Sequence, residues 1–551
     1  MTLSSTLGHP RAQRGNLLAF GRNSTQPRRP IATAAQFALS PIETPRRRRR
    51  INQAASDPTS GGAVPFPTKP TSTTMFRSTI LRTSTCLLLG ASASLAGPIG
   101  APVAPAPTPE KTSLLSFFDG ALVFDLEERA RFEVRSNNLD FNRAINDDND
   151  DSWLINRFRL GVAVKPASWL KLYAQGQDTR EWDSDRPNIP GVRGNEGGDD
   201  FDLRQGYVEF ADYRAFPLGI TVGRQRLHYG EGRILADSNW TNPGRTFDAV
   251  KLRLQTDKLW VDAFAARVVQ IKEEVFDDSD SADNFFGLYG SSDALKFQTT
   301  DLYYLHREKQ DNQPNLSPTN AIDPLGSWNG PAQRVNAIGT RWKSAKGLHG
   351  WDYTVEAVFE FGEVWTGDKT TAEFDLHAFA SHVSGGYTFD DTAWTPRLGL
   401  GYNYASGDRN PTDGNTQTFQ TLFPSNHAKF GDMDEFVWRN IHNLRAQITV
   451  RPVKRVELEL TYNANWLADT SDYWYRGQSA LRTRTPTGQD VRTIDVSSFA
   501  GQELDFVVRW KPTTWLNLDA GYAHFFAGDY LRDTGSSDDA DFGYVMTQLL
   551  F

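Results

Sequence analysis

Cations recur at every second position in several stretches of this sequence. Arg129, Arg131 and Arg135 alternate with Ala130, Phe132 and Val134, and Glu133 shares their face. Arg157 and Arg159 alternate with Phe158 and Leu160, and Lys251 and Arg253 with Val250, Leu252 and Leu254. Lys171 falls on one face with Tyr173, Gln175 and Gln177, and Arg224 and Arg226 share a face of their own. A β-strand turns successive side chains to opposite sides, so each set is a row of charges on a wet face backed by an oily one. Fixed cations in rows attract anions and let them move from one site to the next. Tyr, Gln and Asn among them suit hydrogen bonding to sugar hydroxyls. The alternative role for any one arginine is an ion pair that only stabilises; for the early cluster as a set, anion attraction is the expected chemistry. Later segments are mixed or acidic on that face, with Glu457, Glu459, Glu503, Asp505, Arg509 and Asp519.

The elements that must carry these rows are strands. In Val456–Trp466, Val456, Leu458, Leu460, Tyr462, Ala464 and Trp466 fall on one side and Glu457, Glu459, Thr461, Asn463 and Asn465 on the other. The same alternation runs from about Phe118 to Phe551 with no linker long enough to divide it. No run of 18 predominantly apolar residues supports a membrane-spanning helix, because Thr83–Pro109 is broken by serine, glycine and proline. Mean hydropathy is −0.52, which a barrel with every second residue in water produces while still crossing a bilayer. The fold expected is all-β: a transmembrane antiparallel β-barrel over residues 118–551. About 430 residues at roughly 24 per strand and connection give about 18 strands. A lipid-facing Arg at mid-membrane costs about 2–4 kcal/mol, so the cation rows belong in the lumen.

Connections divide into two kinds. Val164–Trp169, Val450–Arg455 and Trp510–Trp515 each place a basic residue and proline between alternating segments, which suits short periplasmic turns edged by an aromatic girdle. Asn142–Ser152, Asp183–Phe201, Asp277–Asn284, Gln310–Ala332, Ser406–Asp434 and Asp469–Asp495 are long and rich in Gly, Asp and Asn, as extracellular loops are. Upstream, Met75–Arg82 is a basic n-region, Cys86–Leu95 a short apolar core, and Ser94-Leu-Ala96 a cleavage site, so 75–96 is predicted to be a secretory leader. Residues 97–117 form a flexible Pro/Ala lead-in. Residues 1–74, with ten arginines and two acids, are read as a misassigned upstream extension. The terminal Phe551 is the aromatic by which outer-membrane strands are recognised by the assembly machinery.

Composition removes several classes. Beyond residue 96 the chain holds 46 basic and 65 acidic residues, which argues against nucleic-acid binding. Cys86, inside the leader, is the only cysteine, so the mature chain has no disulfide, thiol chemistry or Cys-ligated metal. The nine histidines show no local motif with serine, which disfavours a barrel hydrolase. The acidic runs Asp147–Asp151, Asp277–Asp283 and Asp538–Asp541 lack EF-hand spacing and are read as solvated loop charge. No cofactor or metal is expected.

Arg204-Gln-Gly-Tyr-Val-Glu-Phe210, Phe216-Pro217, Gly223-Arg-Gln-Arg-Leu227 and Asp237-Ser-Asn239-Trp240 resemble the bacterial alginate exporters and, more widely, the alginate export family of outer-membrane porins. Gln175–Glu181 and Gly244–Arg253 resemble it too, and the similarity is dense over roughly 125–290. The resemblance implies a monomeric 18-stranded barrel that conducts an anionic uronate polysaccharide through an arginine-lined constriction, with Arg204, Arg226, Asp237 and Asn239 at the pore. Strict alternation instead puts Arg204 with Val208 and Phe210, opposite Gln205 and Glu209. The expected partners are an anionic polysaccharide or small organic anions, outer-membrane lipid, and the assembly machinery. The competing expectation is a structural or adhesive barrel without open-pore conduction.

Overall fold

Alternation of oily and wet residues leaves one economical solution in a bilayer, a sheet closed on itself with every backbone group paired. The computed structural model describes residues 115–551 except 139, 145–149, 185–197, 273–274, 311–330, 346–348, 367–368, 370 and 478. The upstream extension, the leader and most of the lead-in lie outside the described residues, as do the centres of three expected loops, Asn142–Ser152, Asp183–Phe201 and Gln310–Ala332.

A closed 18-strand antiparallel barrel makes up the described chain. Its first six strands are β1 (Leu122–Ser136), β2 (Asp151–Ala167), β3 (Leu170–Trp182), β4 (Asp199–Phe210), β5 (Leu218–Gln225) and β6 (Phe247–Gln255). The next six are β7 (Leu259–Gln270), β8 (Asp278–Ser292), β9 (Gln298–Lys309), β10 (Gln333–Ser344), β11 (Trp351–Trp365) and β12 (Glu373–Thr388). The last six are β13 (Arg397–Ala405), β14 (Ile441–Val450), β15 (Val456–Trp466), β16 (Phe499–Trp510), β17 (Leu516–Ala527) and β18 (Ala540–Leu550). Each pairs with its neighbour in sequence, and β18 returns to β1, from Glu127 opposite Leu550 to Ser136 opposite Asp541. Phe551 finishes the seam: its amide donates to Leu126 O at 2.9 Å and its ring stacks on Trp515 at 5.7 Å.

The two faces separate as alternation predicts. Phe132, Leu160, Leu252, Ile338, Leu400 and Phe506 are exposed on the outside, while their immediate neighbours Arg131, Arg159, Ala337 and Val507 are buried. Among the described residues no helix is long and apolar enough to cross a membrane. Connections 168–169, 211–217, 256–258, 293–297, 345–350, 389–396, 451–455 and 511–515 lie at one end, and all three basic-Pro hairpins are among them. Exposed Trp169, Phe216, Trp351 and Trp394 ring that end. The longer connections 226–246 and 406–440 lie at the other.

One expected loop is a strand. The stretch Asp277–Asn284 enters β8 at Asp278, with Asp280 and Asp283 turned inward and buried. Across the pair, Arg307 of β9 donates to the Asp283 carboxylate at 2.6 and 2.9 Å, so an inward acid here answers an inward base. The run Asp538–Asp541 likewise passes into β18 at Ala540.

The apolar core sits inside the barrel. Loops 226–246 and 406–440 fold in and meet as a parallel bridge between Leu235 and Phe423, with Ala236 N donating to Phe423 O at 2.8 Å and Phe423 N to Ile234 O at 2.9 Å. Leu227, Ile234, Leu235, Phe419, Leu422 and Phe423 are buried there against wall residues such as Phe247 and Phe285.

Ile338, outward and midway along β10, tests the lipid face. Ile338→Arg should destabilise the inserted barrel by about 2–4 kcal/mol in denaturant unfolding from lipid vesicles. An unchanged midpoint would place that face out of lipid.

Candidate functional site

Loop 226–246 leaves β5 at the long-loop end, and its segment Asn239–Pro243 runs against the inner wall of β1, β2 and β4, where arginines hold it by its carbonyls. Arg129 Nη1 donates to Asn239 O at 3.0 Å and Trp240 O at 3.2 Å, and Arg131 Nη1 to Trp240 O at 2.8 Å. Arg157 Nη1 reaches Asn239, Thr241 and Asn242 carbonyls at 3.0–3.2 Å. Arg159 donates to Asn239 Oδ1 at 2.8 Å and Pro243 O at 3.3 Å, and Arg204 Nη1 to Pro243 O at 3.0 Å. Asn242 returns the grip, its Nδ2 donating to Asn156 O and Arg180 O on the strands while its Oδ1 accepts from Arg129. Arg131 also lies 3.8 Å over the Trp240 ring, which stacks on His427 of the second loop at 3.5 Å. Two carboxylates share the wall arginines: Glu127 takes Arg157 and Arg159, and Glu133 takes Arg131 at 2.6 Å and Arg135 at 3.3 Å.

The expected site residues thus divide. Arg129, Arg131, Arg135, Arg157, Arg159 and Arg204 are inward and buried, and all but Arg135 touch loop 226–246; Arg135 instead donates to Met433 O of the second loop at 3.0 Å. Arg226 is different, with 47% of its side chain exposed and an ion pair to Asp237. His228 Nδ1 is 2.9 Å from the same carboxylate. Burial raises the Asp237 carboxyl, yet the His228 bond and the charges of Arg226 and Arg204 outweigh it and hold it well below the usual carboxylate range. A depressed carboxyl contributes above its ordinary range and is lost only as pH falls through the lowered value, so mild acid leaves this anchor intact. On β6 and β3, Lys251, Arg253 and Lys171 face inward, and Arg253 pairs with Asp262 at 2.6 Å.

Arg204 reaches the interior by a break in register. Gln175 of β3 pairs with Gln205 and Gly176 with Leu203, so Arg204 is an extra residue, a bulge that turns it and Gln205 both inward. Arg224 is a correction. It shares strand parity with Leu218 and Val222, which are exposed on the outside, and it stands directly across from Asp248, whose carboxylate it meets at 2.9 Å. It therefore lies on the outer side of the sheet with Phe276 over its guanidinium at 5.3 Å, and it shares no face with Arg226. The resemblance placed Arg226, Asp237 and Asn239 at the pore, but 226–246 was not among the expected long loops and Trp240, Asn242 and Arg245 were given no role; the turn-rich run Asp237-Ser-Asn-Trp-Thr-Asn-Pro-Gly244 was the signal of the loop.

Two clusters bear on chemistry of other kinds. His382 lies between Asn403 Oδ1 at 2.7 Å and Ser384 Oγ at 3.0 Å, a serine–histidine–asparagine grouping. Arg233 of the inward loop donates into it, its Nη2 3.1 Å from His382 Nε2 and its Nη1 3.1 Å from Asn403 Oδ1. A guanidinium at the nitrogen that would take the serine proton makes this an anchor for Arg233. Asp199, Asp202 and Asp277 bring carboxylate oxygens within 4.8 Å of one another; burial and the Asp202 charge push the Asp277 carboxyl up to about 7. No histidine or further carboxylate joins this trio among the described residues.

A closed, lipid-facing barrel with loops folded into its bore is an outer-membrane channel in class. Residues 121–545 match the alginate export family, and the chain belongs to that family. Among curated proteins none matches the sequence. Of solved structures, OccK9 (OpdG) of Pseudomonas aeruginosa superposes with a TM-score of 0.51 at 14% identity, over 78% of this chain and 98% of that one. OpdK of the same organism, crystallised with vanillate, gives 0.49 at 12% identity over 78% and 98%. The likeness to OccK9 is one of fold.

Asn242→Ala removes an acceptor from Arg129 and two bonds to the wall. The loop should loosen, giving larger and noisier single-channel conductance in planar bilayers. Unchanged conductance would mean that the loop does not set the bore.

Proposed function

We propose that this protein is a passive outer-membrane channel for an anionic polysaccharide of the uronate class, or for smaller organic anions, along the basic wall of β1 to β6. The observation that carries this reading is Arg226, the open cation at the foot of a constricting loop that buried arginines hold in place. Its guanidinium is half in water and fixed by Asp237, which suits brief contact with a passing carboxylate. Tight burial would suit retention instead. Glu457 and Glu459 of β15 both pair with Arg509 of β16, so that part of the wall offers an anion little net attraction. Membership of the alginate export family supports the polymer as substrate. No bond is broken: the barrel and its loops lower an electrostatic barrier. In this reading the leader at 75–96 delivers the chain, and Phe551, stacked on Trp515, presents the last strand to the assembly machinery.

The second reading, a structural barrel that does not conduct, draws support from the two loops packed in the bore. Reversal potentials in planar bilayers under a salt gradient separate the two. Anion selectivity is expected, and Arg226→Glu should shift the potential toward cations. An unmoved potential removes Arg226 from the path, and no current from folded protein favours the structural role.

A further inference from the structure

Below the arginine clamp, toward the short-turn end, the same wall carries an aromatic pair. Tyr173 of β3 and Tyr207 of β4 stand directly opposite each other on the inward face, their ring centroids 5.2 Å apart and tilted by 39°. Both are half-buried, as are Lys171 and Glu209, the pair one step nearer the turns. The Lys171 Nζ lies 5.6 and 5.8 Å from the two ring centroids, at the cleft between them.

The pair is held in place from behind. Asp125 of β1 accepts from Tyr173 OH at 2.9 Å and from Gln175 Nε2 at 2.8 Å, and Gln205 Nε2 donates to Gln175 Oε1 at 2.8 Å. Asp125 reaches two strands away only because its partner on β2 is Gly161, where a Cβ would lie 2.2 Å from its carboxylate oxygen. The ring of Tyr173 is thus fixed before any ligand arrives, and preorganised groups lose little entropy on binding.

We propose that this face is a binding subsite for one uronate unit of an anionic polysaccharide. The C–H face of the pyranose packs on Tyr173 and Tyr207, the carboxylate pairs with Lys171 Nζ, and Glu209 accepts from a ring hydroxyl. An aromatic face takes the apolar side of a sugar, and a compact ammonium takes a carboxylate as a point charge. The subsite rests on the channel reading above and extends it to a first contact on the short-turn side of the constriction.

The test is equilibrium binding, by calorimetric titration of an alginate hexasaccharide into the full-length protein purified from membranes in detergent. Tyr207→Leu should weaken binding by about three- to tenfold, the range of an aromatic contact. Lys171→Gln should weaken it too and remove most of its salt dependence, while a neutral maltohexaose binds this variant as it binds the unaltered protein. Gly161→Ala, which drives Asp125 from its place without touching the rings, should weaken binding if a substitution at Tyr207 prevents folding. Unchanged affinity in folded Lys171→Gln and Gly161→Ala overturns the subsite, as does absence of hexasaccharide binding to the unaltered protein. Because the titration needs no current, binding through these residues in a protein that does not conduct overturns only the channel reading. Conduction with binding indifferent to them overturns only the subsite.

Discussion

Burying a guanidinium costs several kcal/mol unless its donors are satisfied, and this barrel buries six on one wall, Arg129, Arg131, Arg135, Arg157, Arg159 and Arg204. Glu127 and Glu133 are the acids they share on that wall, too few to neutralise them. Loop carbonyls, those of Asn239 to Pro243 and of Met433, take further donors. Hydrogen bonds to charged groups contribute about 1.5–3 kcal/mol each, so several of them together hold the loop against the wall. The dependence is mutual. Without the loops the arginines would need water or anions, and without the arginines the polar stretch Asn239–Pro243 would lose its partners on the wall.

That constraint explains why the apolar core lies in the bore. The outer surface of the barrel belongs to lipid, so the residues that would form the centre of a soluble protein are collected where two loops meet the inner wall. Tyr229 shows the join: its ring stacks on Tyr289 at 4.6 Å while its hydroxyl bonds Asp262 at 2.8 Å, polar enough for a wetted wall and apolar enough for the loop core. Arg307 does the same for the other loop, pairing with Asp283 and donating to Leu422 O at 3.0 Å.

Much of the architecture was legible because period two is unambiguous over a whole strand. Arg129, Arg131, Glu133 and Arg135 could not be split between faces, and the basic-Pro turns could only be the short ones. The reading failed where one residue changes the count. At Arg204 a bulge adds a residue to β4, which simple alternation cannot show, and only the family resemblance pointed inward. At Arg224 the strand ends one residue later, at Gln225, so two arginines that share parity on paper part at the turn into the loop. The acidic run at Asp277 looked like solvated loop because its partner, Arg307, is far away in sequence and meets it only across the β8–β9 ladder. Of loop 226–246 only Arg226, Asp237 and Asn239 were expected at the pore, and those through the resemblance, since nothing local says that a turn-rich segment folds into the bore instead of out into solvent.

For the proposed channel, these two kinds of arginine divide the work between holding and meeting. A cation saturated by neutral carbonyls keeps its formal charge but offers few free donors, so it raises the potential of the bore without binding a passing ligand strongly. An open cation such as Arg226, partnered by a single carboxylate, can exchange that partner for another at small cost. A polymer must not be held at any one point, because affinity at each site adds along its length. On that reading buried arginines set the field, and the proposed weak, repeated contacts fall to half-exposed groups at Arg226, Lys171 and the Tyr173–Tyr207 pair. That separation suits a path along which a long anion is to slide.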